Sequence, residues 1–124
     1  MYVLFATSVC MALGHLPFII VSHEESFIKI VYLTGCATSL LNHYCLSRNK
    51  YLRTLDRAVM TLGAVHDLAY IYDSYTFTLW FASIYFYVYS KIFIQAGLYE
   101  NAVTFHAMAH VLVTLCHANI LVGL

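Results

Sequence analysis

His106 and His110 stand four residues apart in FHAMAHVLVTLCH, so on a helix they share one face and two imidazoles could hold one metal ion. Ser39 and His43 repeat the same spacing in an earlier apolar run. A third imidazole from a facing helix would complete a three-nitrogen set, the ligand pattern of a catalytic zinc that keeps its fourth position for water. Asp56 and Ser39 are the groups that could hold or deprotonate that water. Zinc lowers the pKa of such a water to about 7 and polarises a carbonyl, which suits hydrolysis of an amide or ester. For one histidine alone, a hydrogen-bonded core position is the commoner role, so the argument rests on the combination.

The elements that must bring these residues together are dictated by composition. Of 124 residues, 62% are hydrophobic and only 10% are Asp, Glu, Lys or Arg, against roughly 45–50% and 25% in soluble domains. This excludes disorder, a nucleic-acid binder and a solvated enzyme domain. A membrane span takes about 20 residues, so the chain has room for five spans joined by short loops. The reading is an all-α polytopic membrane bundle with spans at about 2–21, 23–47, 55–72, 76–94 and 102–123. Pro17 should kink the first span near its end. Ser22 and Glu25 have capping-box spacing before the second. The polar segment 48–54 breaks the second span from the third, Asp73 and Ser74 make the next turn, 95–100 with Gly97 form the last loop, and Asn101 is the expected cap of the fifth span.

Net charge is zero, but Arg48, Lys50, Arg53 and Arg57 hold four of the six basic residues in one stretch. Short basic loops stay in the cytoplasm, which places the N-terminus there too and puts His23, Glu24 and Glu25 outside. The first apolar run lacks a basic leader and reads as a span rather than a cleaved signal. Cys10, Cys36, Cys45 and Cys116 have no CxxC spacing and read as buried reduced thiols. Trp80, Phe81, Tyr85, Phe86, Tyr87 and Tyr89 crowd the fourth span, as expected of rings facing lipid and the interface.

Ionisable residues inside a bilayer are costly and mark either function or a packed polar contact. At about 1.5 Å rise per residue, His43 lies about 6 Å from the cytoplasmic end, and His106 and His110 about 7 to 14 Å from it. Asp56 starts the third span at the same side, so three helices bring three histidines and an aspartate to one level. A second polar level, His15, His66, Asp67 and His117, lies about 18 to 22 Å from that end. Interhelical hydrogen bonds account for it best, with a proton path, a second cofactor or a bis-histidine haem as alternatives. His66 and Asp67 point to different helix faces and need not act together. The chain has no phosphate loop, no nucleophile elbow and no lysine after Lys91 to form a retinal Schiff base.

Ser39-x-x-x-His43, the basic stretch, Asp56 in YLRTLDRAVMTLG, and FHAMAHVLVTLCH together resemble the CREST superfamily of membrane hydrolases. That superfamily includes the progestin and adipoQ receptors, the bacterial hemolysin III proteins and the alkaline ceramidases. HAMAHVLV is especially close to the last-span motif of the adipoQ-receptor branch. The resemblance covers Ser39 to Gly63 and Phe105 to His117 and implies a shortened, five-span form. It further implies that His43, His106 and His110 bind Zn²⁺, that Ser39 and Asp56 support the water, and that a membrane lipid is the substrate or ligand. The expected function is therefore ceramidase-like hydrolysis of a lipid amide or ester. The alternatives are a non-catalytic receptor or structural bundle with a zinc or histidine network, and a proton or metal-ion conductor. Helix faces left uncovered in so small a bundle leave room for a homodimer.

Overall fold

The computed structural model describes residues 2–45 and 48–123. Five helices follow in order: α1 (Tyr2–Val21), α2 (Ser26–Tyr44), α3 (Lys50–Asp67), α4 (Ser74–Gln95) and α5 (Tyr99–Val122). A 3₁₀ turn, Leu68–Tyr70, extends α3, and the described residues contain no strand. The expected end of the second span at Ser47 lies outside the described residues.

Local chemistry sets several helix ends differently from the sequence reading. The side chain of Asn49 accepts from the backbone N–H of Tyr51 and Leu52 at 2.9 and 3.1 Å. This cap starts α3 at Lys50, so most of the segment expected to be a polar break is helical. Ser22 and Glu25 form no capping box. The Ser22 hydroxyl donates to the Leu121 carbonyl at 2.8 Å and accepts from the Glu24 amide at 3.0 Å, while α2 starts after Glu25 with no side-chain cap. Asn101 lies inside α5 and does not cap it, because the helix already starts at Tyr99.

Asp73 caps α4, accepting from the Thr76 amide at 2.8 Å and the Thr76 hydroxyl at 2.6 Å. These bonds hold its carboxyl below the usual carboxylate range. α4 ends in a Schellman motif: Gly97 has φ +76°, its amide donates to Ile94 and the Leu98 amide donates to Phe93. The last loop is therefore only Ala96–Leu98. α1 runs on through Pro17 to Val21.

Three helices, α1, α4 and α5, are long and apolar enough to cross a membrane, rather than the five expected. α2 and α3 fall short because they carry the polar groups: Lys29, Asn42 and His43 in one, and Lys50, Arg53, Asp56, Arg57 and Asp67 in the other. The residue distribution is inverted relative to a water-soluble domain. Among the described residues, fourteen polar or charged side chains are buried against twelve apolar ones, while Ile20, Leu62 and Phe81 stand 77, 70 and 59% exposed.

The helices pack in the order α3, α2, α1, α5, α4 around a ring. At the close α1–α5 contact, a Cβ on Gly14 would lie 2.9 Å from Cγ2 of Thr114. The ring stays open between α3 and α4, which touch at few points. There the Trp80 indole N–H donates to the Ala64 carbonyl at 2.9 Å. A mostly apolar cavity of about 420 Å³ fills the opening, walled by Met60 and Val65 of α3, Ile84 and Val88 of α4, and Val113 of α5. Cys36 and Cys116 are buried free thiols as expected, whereas Cys10 is exposed on the outward face of α1 and Cys45, just past the end of α2, is half-buried.

Candidate metal centre

The up-and-down order of α2 and α5 places the late part of α2 beside the early part of α5. His43, His106 and His110 meet there, each 5% exposed or less. Their ring centroids are 4.9 Å (His43–His106), 5.4 Å (His43–His110) and 4.8 Å (His106–His110) apart. One ligand nitrogen from each can be chosen so that all lie within 4.8 Å of one another. Small side-chain adjustments would bring such a set to the roughly 2.0–2.1 Å zinc–nitrogen distance.

Two further observations fit a cation. Nε2 of His43 is buried with no hydrogen-bond partner, a costly condition for a polar atom unless something binds it. Nδ1 of His110 lies 2.9 Å from Oγ1 of Thr7, whose own proton goes to the Leu4 carbonyl at 3.1 Å. The Thr7 oxygen must then accept from Nδ1–H, which leaves Nε2 of His110 as the lone-pair nitrogen a metal needs. The buried trio can hold a metal ion.

The expected supporting residues are near but otherwise engaged. The Ser39 hydroxyl, one turn before His43, pairs with that of Ser8 in α1 at 3.2 Å. Asp56 is buried, and its Oδ2 accepts from Nδ2 of Asn42 at 3.0 Å while Oδ1 has no partner. It is tied to the α2 turn that carries His43 but is not one of the three clustered ligands. Tyr87 packs edge-on against His106 at 5.4 Å, with the Lys91 ammonium 4.8 Å from the Tyr87 ring. Lys91 is close enough to act electrostatically on Asp56 and on all three histidines.

Compared with known proteins, the chain matches no family model, no curated protein and no solved structure. Its function is therefore argued from the site itself.

Thr7, Ser8 and Asn42 escaped the sequence reading. A lone hydroxyl in an apolar run has no spacing that marks it, and Thr7 becomes visible only through its place opposite α5. Asn42 carried a weak signal, as a polar residue beside His43 in a candidate span.

The second polar level forms only in part. His15, His117, Asp67 and Tyr32 join into one hydrogen-bonded chain, with His15 to His117 at 2.8 Å, His117 to Asp67 at 2.9 Å and Tyr32 to Asp67 at 2.9 Å. His66 stands apart, its ring against Phe27 and Tyr70 and both nitrogens buried without partners.

Proposed function

We propose that this chain is a multi-pass membrane protein that holds Zn²⁺ at His43, His106 and His110 and hydrolyses an amide or ester bond of a membrane lipid. The carrying observation is the buried histidine trio, with His110 fixed by Thr7 in the metal-ready tautomer and Nε2 of His43 unpartnered.

Three sufficiently apolar helices and an apolar exterior over a polar interior support membrane insertion. α2 and α3 cross as packed partners, with Asn42, His43, Asp56 and Asp67 turned inward. Lys29 reaches back to the Ser22 carbonyl at 2.7 Å, at the α1–α2 end. Arg48, Lys50, Arg53 and Arg57 gather where α3 begins, which orients that end, and with it the N-terminus, toward the cytoplasm.

A bound zinc would supply a Lewis acid that activates water and polarises the scissile carbonyl. Asp56, with Oδ2 held by Asn42, keeps Oδ1 free to take a proton from water as general base. The Ser8 and Ser39 hydroxyls spend one proton on each other and have a second left for a developing oxyanion. The apolar cavity open between α3 and α4 suits a lipid chain entering sideways from the bilayer. Elemental analysis of detergent-purified protein should give nearly one zinc per chain, lost in the double variant His106→Ala, His110→Ala. Lipid amide or ester hydrolysis that persists undiminished in Asp56→Ala and His110→Ala would sink the catalytic reading.

One observation favours a second reading, a structural zinc in a non-catalytic receptor or bundle: none of the three imidazoles lines the cavity. Cobalt substitution separates the two. A spectrum that shifts on adding azide indicates an open coordination position, and an unresponsive one a site closed by protein groups.

A further inference from the structure

The chain of bonds through His15, His117 and Asp67 has a countable number of protons. The Met11 carbonyl can only accept, so the 2.7 Å contact requires a proton on Nδ1 of His15. The contact between Nε2 of His15 and Nδ1 of His117, 2.8 Å, requires one more. The contact between Nε2 of His117 and Oδ2 of Asp67, 2.9 Å, requires a third. Tyr32 brings its own proton to Oδ1 of Asp67. Two neutral imidazoles and a carboxylate carry only two protons between them. A third must therefore be bound, either on one of the two imidazoles with Asp67 ionised or on the carboxyl itself, and in every case the group is electrically neutral.

We infer that His15, His117 and Asp67 form a proton-binding site that ties α1, α5 and α3 together only while it holds its third proton. His15 and Asp67 are 2% exposed, so the neutral, three-proton form also avoids a lone buried negative charge. All three residues and Tyr32 line the cavity that opens between α3 and α4. The other titratable groups facing the site are Tyr32 from α2, Tyr70 after α3 and Cys116 from α5, with Asp73 acting on Cys116 from the start of α4. On losing the third proton, one of the three contacts sets lone pair against lone pair, and the chain of bonds that joins α1, α5 and α3 is broken at that contact. This site is separate from the histidine trio and stands whether or not that trio holds zinc.

The sign of the pH effect follows from the same count. Above about pH 7 the unfolded chain carries two protons on these three groups and the folded chain three. Folding therefore weakens as pH rises, by about tenfold in the folded-to-unfolded ratio per pH unit while the site stays filled. Asp67→Asn is the decisive variant, because its amide donates to Nε2 of His117 and its carbonyl accepts from Tyr32. Every bond is then made with no extra proton. Thermal unfolding in detergent between pH 7 and 9 should show wild type declining relative to Asp67→Asn, a difference in which the buried thiols Cys36 and Cys116 cancel. Asp67→Asn that fails to fold, or that declines in parallel with wild type, overturns the inference. Independently, ¹⁵N shifts of His15 and His117 with the ¹³C shift of the Asp67 carboxyl at pH 7.5 should locate three protons. Finding only two overturns it as well.

Discussion

Nδ2 of Asn42 donates to Oδ2 of Asp56 across the α2–α3 interface at 3.0 Å, and this hydrogen bond ties a buried carboxyl group to the residue that precedes His43. Asn42→Ala leaves the Asp56 carboxylate in the interior without that donor. Such a loss costs about 1–3 kcal/mol, so the variant should unfold at lower temperature and, under the proposed mechanism, lose hydrolytic rate with zinc content unchanged. Purified Asn42→Ala assayed for both melting and metal checks this.

Thr7 supports His110 from the opposite helix without touching any proposed substrate. Thr7→Val keeps the shape and removes the acceptor for Nδ1–H. Zinc affinity, read by chelator competition, should fall about 10–100-fold, the usual effect of losing the group that orients a ligand histidine. Thr7→Ser should restore most of it. Equal affinity in wild type and Thr7→Val would remove Thr7 from the site.

The α1–α5 contact has no room for a methyl group at Gly14, since Thr114 Cγ2 would be 2.9 Å away and threonine is stiff at χ1 in a helix. Gly14→Ala should destabilise by about 1–3 kcal/mol through overpacking. Adding Thr114→Ala should recover part of that loss. Gly63, where an added Cβ would meet nothing within 4 Å, provides the contrast. Gly63→Ala should stabilise α3 by about 0.5–1 kcal/mol, because alanine loses less chain entropy in a helix. Melting curves of the three variants beside wild type check the signs.

Asp73 contributes to folding only as a carboxylate. Its pKa is held below the unfolded value by the Thr76 bonds, so its contribution is complete above about pH 4 and disappears as pH falls through the lower folded value. Asp73→Ala should lower the melting temperature at pH 7 and flatten its decline on acidification, with Asp73→Ser intermediate at pH 7. Melting curves from about pH 2.5 to 7 test this.

The histidine trio was legible because its information is periodic. His106 and His110 mark one face by spacing alone, and alternating helix direction then puts His43 at their depth. All-α structure was legible for the same reason, since apolar runs this long have few alternatives. Helix ends were less so, because they are decided by which partner a polar side chain finds. Ser22 looked like a cap, but the Leu121 carbonyl, 99 residues away, captures its hydroxyl. Asn49 looked like part of a loop, yet its side chain starts α3. The role of Thr7 depends on His110, 103 residues distant in sequence, and left no local trace.

The opening between α3 and α4 makes the ring mechanically uneven. α1, α4 and α5 adhere through extensive side-chain packing, whereas α3 reaches α4 and α5 through a few directional links, among them Trp80 to Ala64 and His117 to Asp67. Packing yields gradually under strain, but a hydrogen bond is either made or lost. α3 is therefore the stave of this ring that packs along one neighbour only, α2, and is pinned on its other side by single bonds.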